Sequence, residues 1–200
     1  MRTNSFLSLG DSYTIGEGVV LTQNFPYQLV QILRQEGHHF SAPEIIAKTG
    51  WTTDELLAAL EGYIFSPPYD IVTLLIGVNN QYRGRSVEEY TNDLEKLIEK
   101  SIALASKKSH VILISIPDYG ITPFGKEKDV ENIAREIDIF NGVGKALSVQ
   151  YKIHYVDIVE EWRATANDEN QLAADGLHPS AISYAQWAVK IAEAIRELLK

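Results

Sequence analysis

Asn4-Ser5-Phe6-Leu7-Ser8-Leu9-Gly10-Asp11-Ser12-Tyr13 is a short apolar run that ends on a glycine turn followed by polar residues. Four more brief, β-rich runs follow at residues 40–47, 71–76, 111–116 and 153–158. The first, third and fourth stop at Gly10, Gly77 and Pro117, residues that end strands. Five strands are expected. Between them lie helical patterns. Residues 27–36 open after Pro26 and close at Gly37, and Thr52-Thr53-Asp54-Glu55 caps a helix through Leu60. Ser86-Val87-Glu88-Glu89 caps another over 87–107, which carries Val87, Tyr90, Leu94, Leu97, Ile98 and Ala105 on one stripe. A last helix, 180–199, repeats Ile182, Ala185, Ala188, Ile191, Ala192, Ile195 and Leu198 at three- and four-residue steps. This alternation predicts an α/β fold: a three-layer α/β/α sandwich around a five-stranded parallel sheet. Such sheets bind ligands beyond the carboxyl ends of their strands.

Composition narrows the function. The chain has 200 residues, 45% hydrophobic and 22% charged, with no repeat or linker, so a single domain over residues 1–200 is expected. Its 18 basic and 27 acidic side chains leave a net charge of −9, which repels a phosphate backbone and argues against nucleic acid as a partner. No apolar run approaches the roughly 18 residues of a membrane helix, and the mean hydropathy is −0.12. No integral membrane segment is expected. The opening apolar stretch stops at Gly10-Asp11, too short for a signal-peptide core, so the chain reads as cytoplasmic, or as exported if a signal peptide has been trimmed. With no cysteine, thiolate nucleophiles and thiolate metal sites are excluded.

The residues after each strand hold the chemistry. Gly10-Asp11-Ser12-Tyr13 follows the first, Thr49-Gly50-Trp51 the second and Gly77-Val78-Asn79-Asn80 the third, while Asp175-Gly176-Leu177-His178-Pro179 precedes the last helix. A serine hydroxyl becomes a useful nucleophile when a neutral imidazole takes its proton, and that imidazole needs an acceptor on its other nitrogen. Ser12, His178 and Asp175 can fill those three roles. Attack on a carbonyl builds a negative oxygen, for which the amides of Ser12 and Gly50 and the side chain of Asn79 are candidate donors. Each such donor lowers the barrier by roughly 3–4 kcal/mol.

With these blocks the sequence resembles the GDSL or SGNH hydrolases. Gly10-Asp11-Ser12, Gly50, Gly77-Val78-Asn79 and Asp175-Gly176-Leu177-His178 occur in that family's order, from residue 10 to residue 179. The resemblance implies a flavodoxin-like SGNH-hydrolase fold. It also implies Ser12 as nucleophile, Asp175 and His178 as acid and base, and Gly50 with Asn79 completing the oxyanion hole. One departure is Asn80, where the family commonly has Asp; its consequence falls on how the loop after the third strand is braced. Asp11 reads as a capping or bracing acid rather than a chemical participant.

Other readings lose on the residues. Gly120-Ile121-Thr122-Pro123-Phe124-Gly125-Lys126 imitates a phosphate loop, but Glu127 stands where Ser or Thr is required. No Gly-x-Ser-x-Gly elbow is present, which disfavours an ordinary α/β-hydrolase. His38-His39 has no third ligand nearby in sequence, so neither a metal nor another cofactor is expected. A phospho-acceptor domain built on Asp11 would want a lysine after a later strand, and Ser115-Ile116-Pro117-Asp118 has none. The expected partner is a small ester, with oligomeric state open. The expected reaction is cleavage of short-chain or acetyl esters, including acetylated sugars. The alternatives are a lysophospholipase or acyl-thioesterase, and a non-catalytic module that binds acylated sugars. Specificity falls to the loops at 13–26, 51–53, 81–85 and 118–130. There Tyr13 and Trp51 are candidate substrate-binding walls, Arg83 and Arg85 candidate anion contacts, and 118–130 either a mobile flap or an ordered loop.

Overall fold

The computed structural model describes residues 2–199. Its strands are β1 (Phe6–Gly10), β2 (Glu44–Ala47), β3 (Ile71–Leu75), β4 (Val111–Ile114) and β5 (His154–Val156). Its helices are α1 (Ser12–Ile15), α2 (Phe25–Gln35), α3 (Thr53–Glu61), α4 (Val78–Tyr82), α5 (Val87–Leu104), α6 (Val130–Tyr151), α7 (Val159–Thr165) and α8 (Ala181–Arg196). The strands form one sheet in the order β2-β1-β3-β4-β5 with every pair parallel, in the register Ser8 to Ile45 and Thr73, and Ile112 to Thr73 and His154. This is the five-stranded parallel α/β architecture expected from the sequence.

Right-handed crossovers fix the layers. The chain leaves β1 toward β2 through α2, then reverses and crosses to β3, β4 and β5 through α3, α5 and α6, which puts α2 on one face and the other three on the opposite one. The contacts agree: α2 packs against α8, and α5 against both α3 and α6. Every residue of β1 and β3 is buried, as central strands covered on both faces require. The reversal falls between β1 and β3, so the crevice for a ligand opens at the carboxyl ends of those two strands.

Element ends differ from the sequence expectation for local reasons. The second strand starts at Glu44 because Pro43 has no amide for the ladder; upstream of it only Phe40 makes an isolated bridge, to Asn4. Helix α5 stops at Leu104, three residues early, as Ala105 turns extended to bridge Tyr69. Helix α2 takes Pro26 into its first turn, where a missing amide costs nothing, under an Asn24 cap. Both expected capping boxes form: Glu55 accepts from the Thr52 amide at 2.9 Å, and Glu89 accepts from the Ser86 amide at 2.9 Å. Helix α6 has no counterpart among the helices read from the sequence. Gly142 and Gly144 lower its intrinsic propensity, although Ile133, Ile137, Phe140 and Leu147 bury a regular stripe.

Candidate active site

Ser12 is the first residue of α1, one turn-residue beyond β1. The approach is tight: a Cβ on Gly10 would run into the Thr14 hydroxyl and the Leu75 carbonyl, so only glycine lets β1 pass into α1 beside β3. Asp11, between them, has no exposed surface. Its carboxylate caps α1 by accepting from the Tyr13 amide at 3.0 Å and also accepts from Asn79 Nδ2 at 3.3 Å. Burial pushes its pKa up to about 7, against the opposing pull of those two donors.

Asn79 comes from α4, directly after β3. Its Nδ2 donates to the Trp51 carbonyl at 3.0 Å as well as to Asp11, so the loops after β1, β2 and β3 are joined through one side-chain amide. The neighbouring Asn80 is buried and makes a reciprocal pair with Thr53, accepting from its amide at 3.0 Å and donating to its hydroxyl at 2.7 Å. An amide at position 80 therefore braces the β3 loop against the start of α3, where the family commonly has a carboxylate.

The fourth piece arrives from the turn before α8. His178 Nδ1 lies 2.7 Å from Asp175 Oδ2, and Asp175 Oδ1 accepts from the amides of Leu177 and His178 at 2.9 and 3.0 Å. Partial burial pushes the Asp175 carboxyl up, but the His178 ring and the two amides together hold it below its ordinary value. It stays ionised at neutral pH. Tyr13 backs the imidazole, its ring 5.0 Å from that of His178 and stacked on Trp187 at 6.3 Å.

These elements meet at one pocket of about 110 Å³, lined by Ser12, Tyr13, Val78, Asn79, Tyr82, Tyr119, Phe124, Leu177 and His178. It is smaller than the pockets that enclose drug-sized ligands, and its wall is apolar apart from a few convergent polar groups. Of the residues singled out in the sequence, Ser12, Tyr13, Asn79 and His178 line it directly, with Asp175 one bond behind. Gly50 and Trp51 do not line it. Gly50, at φ 82°, turns the chain after β2 and its carbonyl accepts from Arg83 at 2.5 Å; the Trp51 ring packs on the core while its carbonyl holds Asn79. Arg83 and Arg85 are paired with carboxylates, Arg83 with Glu55 and Arg85 with Asp54 and Glu89. The segment 118–130 is ordered: Asp118 is fully buried against Arg163 at 2.8 Å, and the Phe124 amide donates to the Gly176 carbonyl at 3.2 Å. Nothing in the sequence separates Val78 and Leu177 from the rest of their motif blocks, or Tyr82 from the rest of the loop at 81–85. Among the described residues no cluster of His, Asp and Glu could hold a metal ion, and no helix is long and apolar enough to cross a membrane.

A buried hydroxyl, an imidazole oriented by a carboxylate and a side-chain amide around one apolar pocket can perform acyl transfer. The fold is similar to that of TesA, with 21% identity, a TM-score of 0.78 and coverage of 98% of this chain and 99% of that one. It is similar also to a lipase/acylhydrolase from Enterococcus faecalis, with 20% identity, a TM-score of 0.77 and coverage of 98% and 96%. A third similar structure is the acetylxylan esterase Axe2 from Geobacillus stearothermophilus, with 23% identity, a TM-score of 0.73 and coverage of 99% and 96%. No curated protein sequence is a significant match. The family model for GDSL-like lipases and acylhydrolases matches residues 8–186, a span that takes in all four motif blocks, and the chain belongs to that family.

Proposed function

We propose that this ester hydrolase is a serine esterase that cleaves short-chain or acetyl esters through an acyl-enzyme, with Ser12, His178 and Asp175 as its triad. The single observation that carries the reading is the shared pocket: Ser12 and His178 line it, and Asp175 engages His178 Nδ1 from behind. That contact leaves Nε2 as the ring nitrogen for the serine proton. Ser12 Oγ attacks the ester carbonyl as Nε2 takes its proton. The tetrahedral intermediate collapses with release of the alcohol, which takes that proton. A water, deprotonated in turn by His178, then cleaves the acyl-serine. The oxyanion is received by the Ser12 amide and Asn79 Nδ2, the two expected donors whose residues line the pocket. Both Nδ2 protons have protein acceptors before substrate arrives, and the longer bond, to Asp11 at 3.3 Å, is the one an oxyanion would draw away.

The small apolar pocket supports a short acyl group. A series of p-nitrophenyl esters from acetate to octanoate, run on the protein and on Ser12→Ala, tests both parts. Activity should peak at acetate or butyrate and fall about ten-thousandfold or more in the variant. Equal activity in both proteins would remove Ser12 from the chemistry, and rates that climb to octanoate would move the substrate to the lipid or thioester class.

A further inference from the structure

Outside the serine pocket, past the rings of Tyr82 and Phe124 that wall it, a second open cleft continues to Pro123, Glu127, Lys128 and Asp175. It lies on the turn that carries His178, the group that returns the proton to the departing alcohol. An ester seated with its acyl group in the inner pocket therefore extends its alcohol into this cleft. That assignment rests on the serine esterase reading.

The walls of the cleft suit a cation. Two carboxylates, Glu127 and Asp175, face it with a single ammonium, Lys128, in a chain of net charge −9. Tyr82 and Phe124, 48% and 41% exposed, are large aromatic surfaces left open to solvent, with Tyr119 packed edge-on against both. The Lys128 ammonium stands over the two open rings, 5.2 Å from the centre of Tyr82 and 5.3 Å from that of Phe124. Rings grouped in this way attract ammonium groups through their negative faces, and aromatic cages for quaternary ammonium ligands use the same contact. Lys128 is attached through a long flexible stem from an exposed position, so its ammonium can leave the rings without disturbing the fold.

We propose that this cleft is the leaving-group subsite and receives an ammonium-bearing alcohol, with the Lys128 side chain occupying the aromatic cage until that substrate displaces it. Attack by Ser12 breaks the bond between the acyl carbon and the alcohol oxygen, His178 protonates that oxygen, and the ammonium alcohol leaves with its charge unchanged.

Acetylcholine and 3,3-dimethylbutyl acetate have the same shape and differ by one positive charge, so the ratio of their kcat/KM values reads the subsite. The ratio should be about five to ten in the unmodified protein, about threefold higher in Lys128→Met, and close to one in Phe124→Leu. A ratio of one or less in the unmodified protein, or a lower ratio in Lys128→Met, overturns the assignment. With p-nitrophenyl acetate as the third substrate, the two readings separate. If that ester is cleaved and acetylcholine is refused, the subsite falls and the esterase stands. If all three are refused, both fall.

Discussion

A carboxyl with no exposed surface stands one residue before Ser12. Asp11 joins the cap of α1 to Asn79, and the Asn79 amide reaches on to Trp51, so three loops depend on the state of that one group. Its pKa, raised to about 7 by burial, makes that state titrate near neutrality. The sign of the effect on stability follows from proton counting. Between the ordinary value of 3.8 and about 7, the unfolded chain is ionised at this position while the folded protein keeps its proton. The folded state binds more protons, so stability falls as pH rises through that window and levels off above it. Three pH units at roughly 1.4 kcal/mol each put the contribution at about 4 kcal/mol. Asp11→Asn cannot ionise. Urea unfolding at pH 5 and pH 8 spans about two pH units of that window and should show the unmodified protein losing about 2.7 kcal/mol relative to that variant; parallel curves would exclude a buried titration at Asp11. None of this is visible in the sequence, where Asp11 reads as one more capping acid. The capping role was legible because it needs only the adjacent helix, whereas the bond to Asn79 spans 68 positions.

The segment between β4 and α6 shows how an element's behaviour escapes the sequence. Glycines, charges and two aromatic residues over 118–130 are compatible with a flap or with a fixed loop. Long-range bonds decide: Asp118 is enclosed completely, its Oδ2 2.8 Å from Arg163 Nε on α7, and the Trp162 indole donates to its carbonyl at 2.9 Å. Arg163 also reaches Asp138 at 2.8 Å and the Ala134 carbonyl at 3.1 Å on α6, so one guanidinium holds the loop and two helices together. Removing it strands a carboxylate out of water, a change that costs about 3–5 kcal/mol. Arg163→Met should lose that much in chemical denaturation, and adding Asp118→Asn should recover a good part of the loss. A single variant within 1 kcal/mol of the unmodified protein would show that the loop is fixed by other contacts. Strands and capped helices were readable because their signals are local, as the boxes at Thr52 and Ser86 show. Helix α6 is hard to read from the sequence although its buried stripe is regular. Close packing does not demand glycine at position 144, where an added Cβ would meet Leu113 and Tyr155 at ordinary contact distances of 3.4 and 3.6 Å. Burial of Ile133, Ile137, Phe140 and Leu147 in the packed molecule holds the helix, while the sequence shows two glycines that lower its propensity.

At the scale of the whole molecule, the two ends of the chain are locked to each other. The C-terminal helix α8 packs on α2 near the start, Arg196 pairs with Glu36 at 2.6 Å, and Gln28 donates to the Ala181 carbonyl at 2.9 Å. The same α8 sends Trp187 into an aromatic group with Tyr13, Trp162 and Tyr184, which reaches the ring of His178 through Tyr13. Helices α3, α5 and α6 cover the other face of the same sheet, and β1 and β3 lie buried between both layers. Both helical layers rest on this one core. The protein should therefore unfold in a single cooperative step, with equal calorimetric and van't Hoff enthalpies and a heat-capacity increment of about 2.4–3 kcal/mol/K for its length. Differential scanning calorimetry checks this. Two resolved peaks, or a van't Hoff enthalpy well below the calorimetric one, would mean that one helical layer melts apart from the other. Because the site draws residues from the ends of β1 and β3 and from the turn before α8, a single transition also requires esterase activity and tertiary structure to disappear together on heating.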